Sequence, residues 1–194
     1  MKLKVSLAAI AAMMLVLGCN TTPKTAAEKD QLHTDAQSTL TKMESQDPGI
    51  RDLLSRSYGY VIFPSIGQGG LIVGGASGHG LAYQGGNVIG TAELSQASIG
   101  AQLGGSTFSE VIAFESASAM DKFKTGKFEM GADAQAVIVK SGAAGATSFR
   151  NGVAVLQMPV GGAFAGVALT GQKLKYFPNS GSTTVTETKT ETKM

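Results

Sequence analysis

The stretch Gly80-Leu81-Ala82-Tyr83-Gln84-Gly85-Gly86-Asn87-Val88-Ile89-Gly90-Thr91-Ala92-Glu93-Leu94 reads as two extended runs joined by a tight turn. Gly85-Gly86-Asn87 supplies residues that tolerate positive φ, and β-branched and aromatic side chains on both sides favour strands, so the unit is a β-hairpin. The same grammar extends in both directions. Upstream runs are Tyr60 to Phe63 and Leu71 to Val73; downstream come Ile99 to Leu103, Val111 to Phe114, Ala134 to Val139, Gly152 to Leu156, Ala163 to Leu169 and Lys173 to Phe177. Of the 26 glycines, 23 lie between Gly59 and Gly171. Many short runs punctuated by glycine predict mainly antiparallel pairing rather than alternating strand and helix.

Helices interrupt the pattern at two places. Ala26 to Met43 is rich in Ala, Leu, Lys, Gln and Glu, with Leu32, Ala36, Leu40 and Met43 on one stripe. Asp47-Pro48 then reads as a cap followed by Pro at the first helical position of a short second helix through Ile50, Leu53 and Leu54. Ser116 to Lys124 is the other, with Ala119, Met120 and Phe123 on one side. The expected fold class is α+β: a compact, glycine-rich, mainly antiparallel β domain with N-terminal helices and one short internal helix. Its expected span is 26–178, followed by a disordered polar tail over 179–194 made of Ser, Thr, Lys and Glu.

The 194 residues carry a formal charge of +2, one cysteine, two histidines and no tryptophan. One cysteine excludes an internal disulfide framework, and two distant histidines with it cannot make a Cys/His zinc cluster. Near-neutrality argues against nucleic acid as a partner.

The first 18 residues look like an export leader: Lys2 and Lys4 precede an apolar run from Val5 through Leu17, broken only by Ser6. Thirteen positions are too few to span a bilayer, which takes about 20. Val16-Leu17-Gly18-Cys19 resembles a bacterial lipobox. That resemblance implies cleavage before Cys19, a diacylglyceryl thioether on its sulfur and acylation of the new amino group, with 19–25 as a tether. Several acyl chains at about 0.8 kcal/mol per buried methylene make a firm membrane anchor. Asn20 rather than Asp after the cysteine favours the outer membrane, periplasmic face.

Two membrane-spanning readings compete for the glycines. Gly70, Gly74 and Gly78, with Gly86/Gly90, Gly100/Gly104 and Gly162/Gly166, have the spacing of closely approaching membrane helices. Beyond Leu17 no uninterrupted apolar stretch of about 20 residues supports such helices, and glycine costs a helix about 1 kcal/mol relative to Ala. A transmembrane barrel lacks the aromatic girdles.

Catalytic motifs do not emerge, and no cofactor is expected. Gly126-Lys127-Phe128 is not a phosphate loop, and Gly67-Gln68-Gly69-Gly70 and Gly78-His79-Gly80 are glycine fragments that open no helix. His79 reads as a packed or surface histidine. Glu93 and Arg56 are the only charged side chains between Asp52 and Glu110; buried, Glu93 would suit acid–base or cation chemistry, and on the wet side of a strand it would be ordinary.

Tyr58-Gly59-Tyr60-Val61-Ile62-Phe63-Pro64-Ser65 begins a resemblance to the SYLF domain family, known also from yeast actin-binding proteins. It continues in order through Gly70-Leu71-Ile72-Val73-Gly74-Gly75, Gly78-His79-Gly80-Leu81, Gly90-Thr91-Ala92, Ile99 to Gly104, Ser109 to Phe114 and Ala119 to Phe123, covering roughly 30–177. The resemblance implies a lipid-binding module, with actin binding in some eukaryotic members. Gln68 and Ala76 stand where the family often has basic residues, which argues against phosphoinositide specificity here. Candidate contacts to anionic headgroups are Lys122, Lys124, Lys127, Arg150, Lys173 and Lys175. The functional expectation is a non-enzymatic, membrane-anchored lipoprotein binding anionic phospholipid or another envelope amphiphile; the alternative is a structural lipoprotein that binds an envelope or host protein.

Overall fold

The computed structural model describes residues 23, 25–70, 73–99, 104–126, 128, 130, 136–144, 147–162 and 171–179. The leader, Cys19, most of the tether, Lys127, the run Ala163 to Leu169 and the tail beyond Asn179 lie outside them. Among the described residues are three helices, α1 (Ala26–Gln46), α2 (Gly49–Ser55) and α3 (Ala117–Lys124). Seven strands accompany them: β1 (Gly59–Gly70), β2 (Val73–Gln84), β3 (Asn87–Ile99), β4 (Gly104–Phe114), β5 (Ala136–Ile138), β6 (Val153–Gly162) and β7 (Gln172–Pro178). The class is α+β, as expected.

One sheet holds all seven strands in the order β5-β6-β4-β1-β2-β3-β7. Every pairing is antiparallel except β5 with β6. The hairpin read from residues 80–94 is present, with Gly85 and Gly86 at φ 58° and 79°. Strands run much longer than the sequence runs, because they continue through their glycines instead of ending at them. Gly69 faces Gly75 on one side and Gly105 on the other, so bare backbone pairs with bare backbone.

The glycines of β2 also make room. A register shift in β1 at Phe63-Pro64-Ser65 throws Phe63 and Ile66 across β2. A Cβ on Gly80 would sit 2.6 Å from the Ile62 carbonyl and 2.7 Å from Phe63 Cδ1, and one on Gly78 would meet Ile66 at 2.8 Å. Pro64, without an N–H, is tolerated at such a bulge, and its carbonyl accepts a 2.7 Å bond from the Ser109 hydroxyl.

Each sheet face buries a cluster. The outer face carries Ile62, Leu81, Tyr83, Val111, Ala113, Ala154, Leu156 and Met158 beneath α1 and α2. Leu32, Ala36 and Met43 of the expected stripe are buried, Leu40 is half-buried, and Thr39 joins them. Thr25 and Glu28 close a capping box at the start of α1. Asp47 does bond the Gly49 N–H (3.0 Å), but its other oxygen accepts the Ala144 N–H at 2.6 Å, so it ties the helical corner to the β5–β6 connection. Arg56 adds a bond to the Thr147 carbonyl (3.1 Å) and lies 5.8 Å from the Phe149 ring centroid.

The inner face carries Val61, Phe63, Ile66, Leu94, Phe108, Ile112, Phe114, Val155 and Leu174, covered by Met120 and Phe123 of α3. The Ser116 hydroxyl caps α3 by accepting from the Ala119 N–H. Phe123 stacks on Phe114 (centroids 5.1 Å) and meets Tyr176 at 5.4 Å.

Candidate functional site

Alternation along β4 places Ser106, Phe108, Glu110, Ile112 and Phe114 on the inner face, so a carboxyl enters the core between two aromatic layers. Glu110 is fully buried, and Gln157, its cross-strand partner on β6, donates Nε2 to Oε2 at 2.7 Å. The Gln172 amide approaches the same oxygen at 3.4 Å. Gln172 belongs to β7, four inter-strand steps from β4, which is about 19 Å across a flat sheet at roughly 4.8 Å per step. The contact therefore requires the sheet to curl until its last strand faces its middle.

A polar row completes this layer. Ser106, Gln68, Ala76, Gln96 and Gln172 are successive cross-strand partners on β4, β1, β2, β3 and β7, and Gln68 donates to Ser106 Oγ at 2.7 Å. Burial pushes the Glu110 carboxyl up to about 7 from an ordinary value near 4.5, against the two amide bonds that favour its ionised form. Among the described residues, Glu110 Oε1 and Gln172 Oε1 have no hydrogen-bond partner, and a proton on Glu110 supplies the donor such acceptors want. Chemically the group can hold or release a proton near neutrality; closed off by Phe63, Phe108 and Ile112, it has no access to a substrate in this state.

Sequence reading passed over Glu110 and weighed Glu93 instead. The signal was present in Phe108-x-Glu110-x-Ile112-x-Phe114, where period two puts the acid on the apolar side. Glu93 alternates with Ala92 and Leu94 and so faces outward, partly exposed, between His79 on β2 and Lys175 on β7. His79 is half-buried on that outer face. Its ring nitrogens are buried without partners among the described residues, and desolvation lowers its pKa against the opposing pull of Glu93.

The expected basic contacts are dispersed. Lys122 and Lys124 lie in the last turn of α3, and Lys124 Nζ is engaged at 2.6 Å with Gln84 Oε1, whose amide reaches the Tyr58 hydroxyl. Lys173 and Lys175 are exposed and point to the face opposite Leu174 and Tyr176, away from α3. Arg150 is exposed on the turn that opens β6, where it pairs with Val153. The sheet thus separates three groups of cations, and Lys127 and Cys19 fall outside the described residues.

Among the described residues, clefts open at both ends of the sheet. One of about 320 Å³ lies between α1, α2 and the β2–β3 turn, beside the Arg51–Glu44 ion pair (2.7 Å). The larger, about 960 Å³, opens at the other end of the sheet among Gly67, Gln68, Gly105, Thr107 and Gly161.

No curated protein matches the chain. Residues 95–178, from the end of β3 through β7 and including Glu110, Gln157 and Gln172, match the family model Ysc84, described as "Las17-binding protein actin regulator". The match, over less than half of the chain, agrees with the resemblance to the SYLF family carried by the ordered glycine motifs.

Proposed function

We propose that this chain is a lipid-anchored lipoprotein of the bacterial outer membrane whose SYLF domain binds lipid on the periplasmic side and carries out no chemistry of its own. The family match over 95–178 carries the reading, since the family is one of lipid- and actin-binding domains. The lipobox-like Val16-Leu17-Gly18-Cys19 supports membrane attachment through acyl chains on Cys19. The sealed position of Glu110, fully buried within the apolar inner face, fits a binding module better than a catalyst.

Flotation with phospholipid vesicles tests the reading on the chain from Asn20 onward, which lacks both the apolar leader and the acylated cysteine and leaves the domain to bind alone. Co-flotation with vesicles is the expected result; failure to float with either neutral or anionic lipid refutes it. Protein binding is the second reading, favoured by the family description, which names a protein partner and actin regulation. Crosslinking in the native envelope that recovers a defined protein, from a chain that ignores vesicles, selects it.

A further inference from the structure

The smaller cleft lies in the corner between α1, α2 and the β2–β3 turn, and its volume of about 320 Å³ is at the lower end of small-molecule sites. Glu44 and Arg51 supply the charges among its described lining residues. Each stands at the helix end that disfavours it. Glu44 is in the last turn of α1, where carbonyl oxygens gather, and Arg51 is in the first turn of α2, where N–H groups do. The two satisfy each other at 2.7 Å across the Asp47-Pro48 corner, but unequally: the Glu44 side chain is 20% exposed and that of Arg51 77%. An exposed pair of this kind adds little stability, so Arg51 can swing outward at little cost.

The other side chains of the cleft accept hydrogen bonds more than they donate them. The Ser55 and Ser57 hydroxyls spend their hydrogens on the Asp52 and Leu53 carbonyls, at 2.9 and 2.7 Å, which leaves oxygen lone pairs to offer. Tyr60 stacks on Tyr83 with ring centroids 4.9 Å apart. Burial, together with the Glu44 charge, holds its phenol above the ordinary value, so the hydroxyl stays neutral. Leu40 and Leu54 add apolar surface. The Gly85-Gly86 turn on the rim carries no side chain, and a Cβ at either position would meet nothing within 4 Å, so the turn leaves the cleft open.

A carboxylate, hydroxyl oxygens and an aromatic ring suit a primary ammonium, which has several hydrogens to donate and is drawn to aromatic rings. An outward guanidinium suits a phosphate, which it meets with paired N–H groups. We propose that this cleft binds a primary ammonium borne next to a phosphate, the chemistry of a phosphoethanolamine group. The ammonium takes the place of Arg51 on Glu44, and Arg51, turned outward, holds the phosphate. The lipid-binding reading above makes a phospholipid headgroup the expected source, and the inference rests on that reading for the source alone, since a free phosphoethanolamine ester has the same chemistry.

The chain has 4 tyrosines, so 3-fluorotyrosine labelling of the chain from Asn20 onward gives separate fluorine signals for Tyr58, Tyr60, Tyr83 and Tyr176. Titration with O-phosphoethanolamine should move the Tyr60 signal and leave that of Tyr176, on the inner face, in place. A Tyr60 signal that stays put, or a Tyr176 signal that moves as far, overturns the proposal. Glu44→Gln should weaken the binding on the order of tenfold, the scale of one hydrogen bond to a charged group, and Asp30→Asn, the same charge change near the start of α1, should not. Phosphocholine, whose nitrogen has no hydrogen to donate, and inorganic phosphate should both bind more weakly than O-phosphoethanolamine. Equal binding of the three, or of the Glu44→Gln chain, also overturns it. In flotation, phosphatidylethanolamine/phosphatidylglycerol vesicles should be preferred to phosphatidylcholine/phosphatidylglycerol vesicles of equal charge, and Glu44→Gln should remove the preference. Flotation without preference and without a Tyr60 response sinks the site while lipid binding stands. A Tyr60 response from a chain that shows no such preference keeps the site and assigns it a soluble ester; if that chain ignores every vesicle, the lipid-binding reading falls.

Discussion

Replacing Glu110 with glutamine should make the protein more stable at neutral and alkaline pH and leave it nearly unchanged in acid. The folded protein holds the Glu110 proton up to about pH 7, whereas an unfolded chain releases it near 4.5. Between those values the folded state binds the extra proton, so stability falls as pH rises, and above pH 7 the cost is constant. The gap of about two and a half pKa units corresponds to roughly 3 kcal/mol at 1.36 kcal/mol per unit, an order-of-magnitude figure. Glutamine keeps the shape and still accepts from Gln157 Nε2. Urea unfolding followed by far-UV circular dichroism, for both chains from about pH 4.5 to pH 8.5, gives the comparison. His79 titrates in an overlapping window with the opposite sign, because its lowered pKa makes stability rise with pH. Taking the difference between the two chains removes that contribution. The curves should converge near pH 4.5 and separate steadily to about pH 7; curves that stay parallel throughout would refute the account of Glu110.

Gly80→Ala forces a methyl to within 2.6 Å of the Ile62 carbonyl, and should lower stability by about 1–3 kcal/mol in the same urea assay. Asp47→Ala strands the Ala144 N–H and unties the helical corner, at a cost of about 1–3 kcal/mol, and should raise hydrogen exchange in residues 141–149 before it affects β1. Phe123→Ala removes the ring between Phe114 and Tyr176 and should cost about 3–5 kcal/mol, with loss of near-ultraviolet tyrosine dichroism as the readout.

The helices were legible because their signals are local. Ala119, Met120 and Phe123 fall on one side of eight residues, and the α1 stripe needed only a spacing of three and four. The turn at Gly85-Gly86 was equally local. Strand length was not, since glycine reads as an interruption until its partner is known: Gly69 continues a strand because Gly75 and Gly105 lie beside it. Reading Phe108 to Phe114 for alternation reveals a buried acid, yet nothing near it in sequence announces Gln157 or Gln172, which lie 47 and 62 residues away. The expected cationic site fared similarly. Residue type suggested six headgroup contacts; the docking of α3 on the sheet brings Lys124 to Gln84, and alternation along β7 turns Lys173 and Lys175 to the other face.

The arrival of Gln172 at Glu110 also sets an order of events during synthesis. Until the ribosome has delivered β7, the edge of β3 from Gly90 to Gln96 lacks its neighbour, Leu94 lacks Leu174, and the acid lacks one of its two amides. A chain stopped a few codons short of Gln172 would expose an open seam along its length, the kind of flaw that quality-control proteases recognise. Among the described strands, β7 thus covers the edge of β3 and carries the second amide to the buried acid.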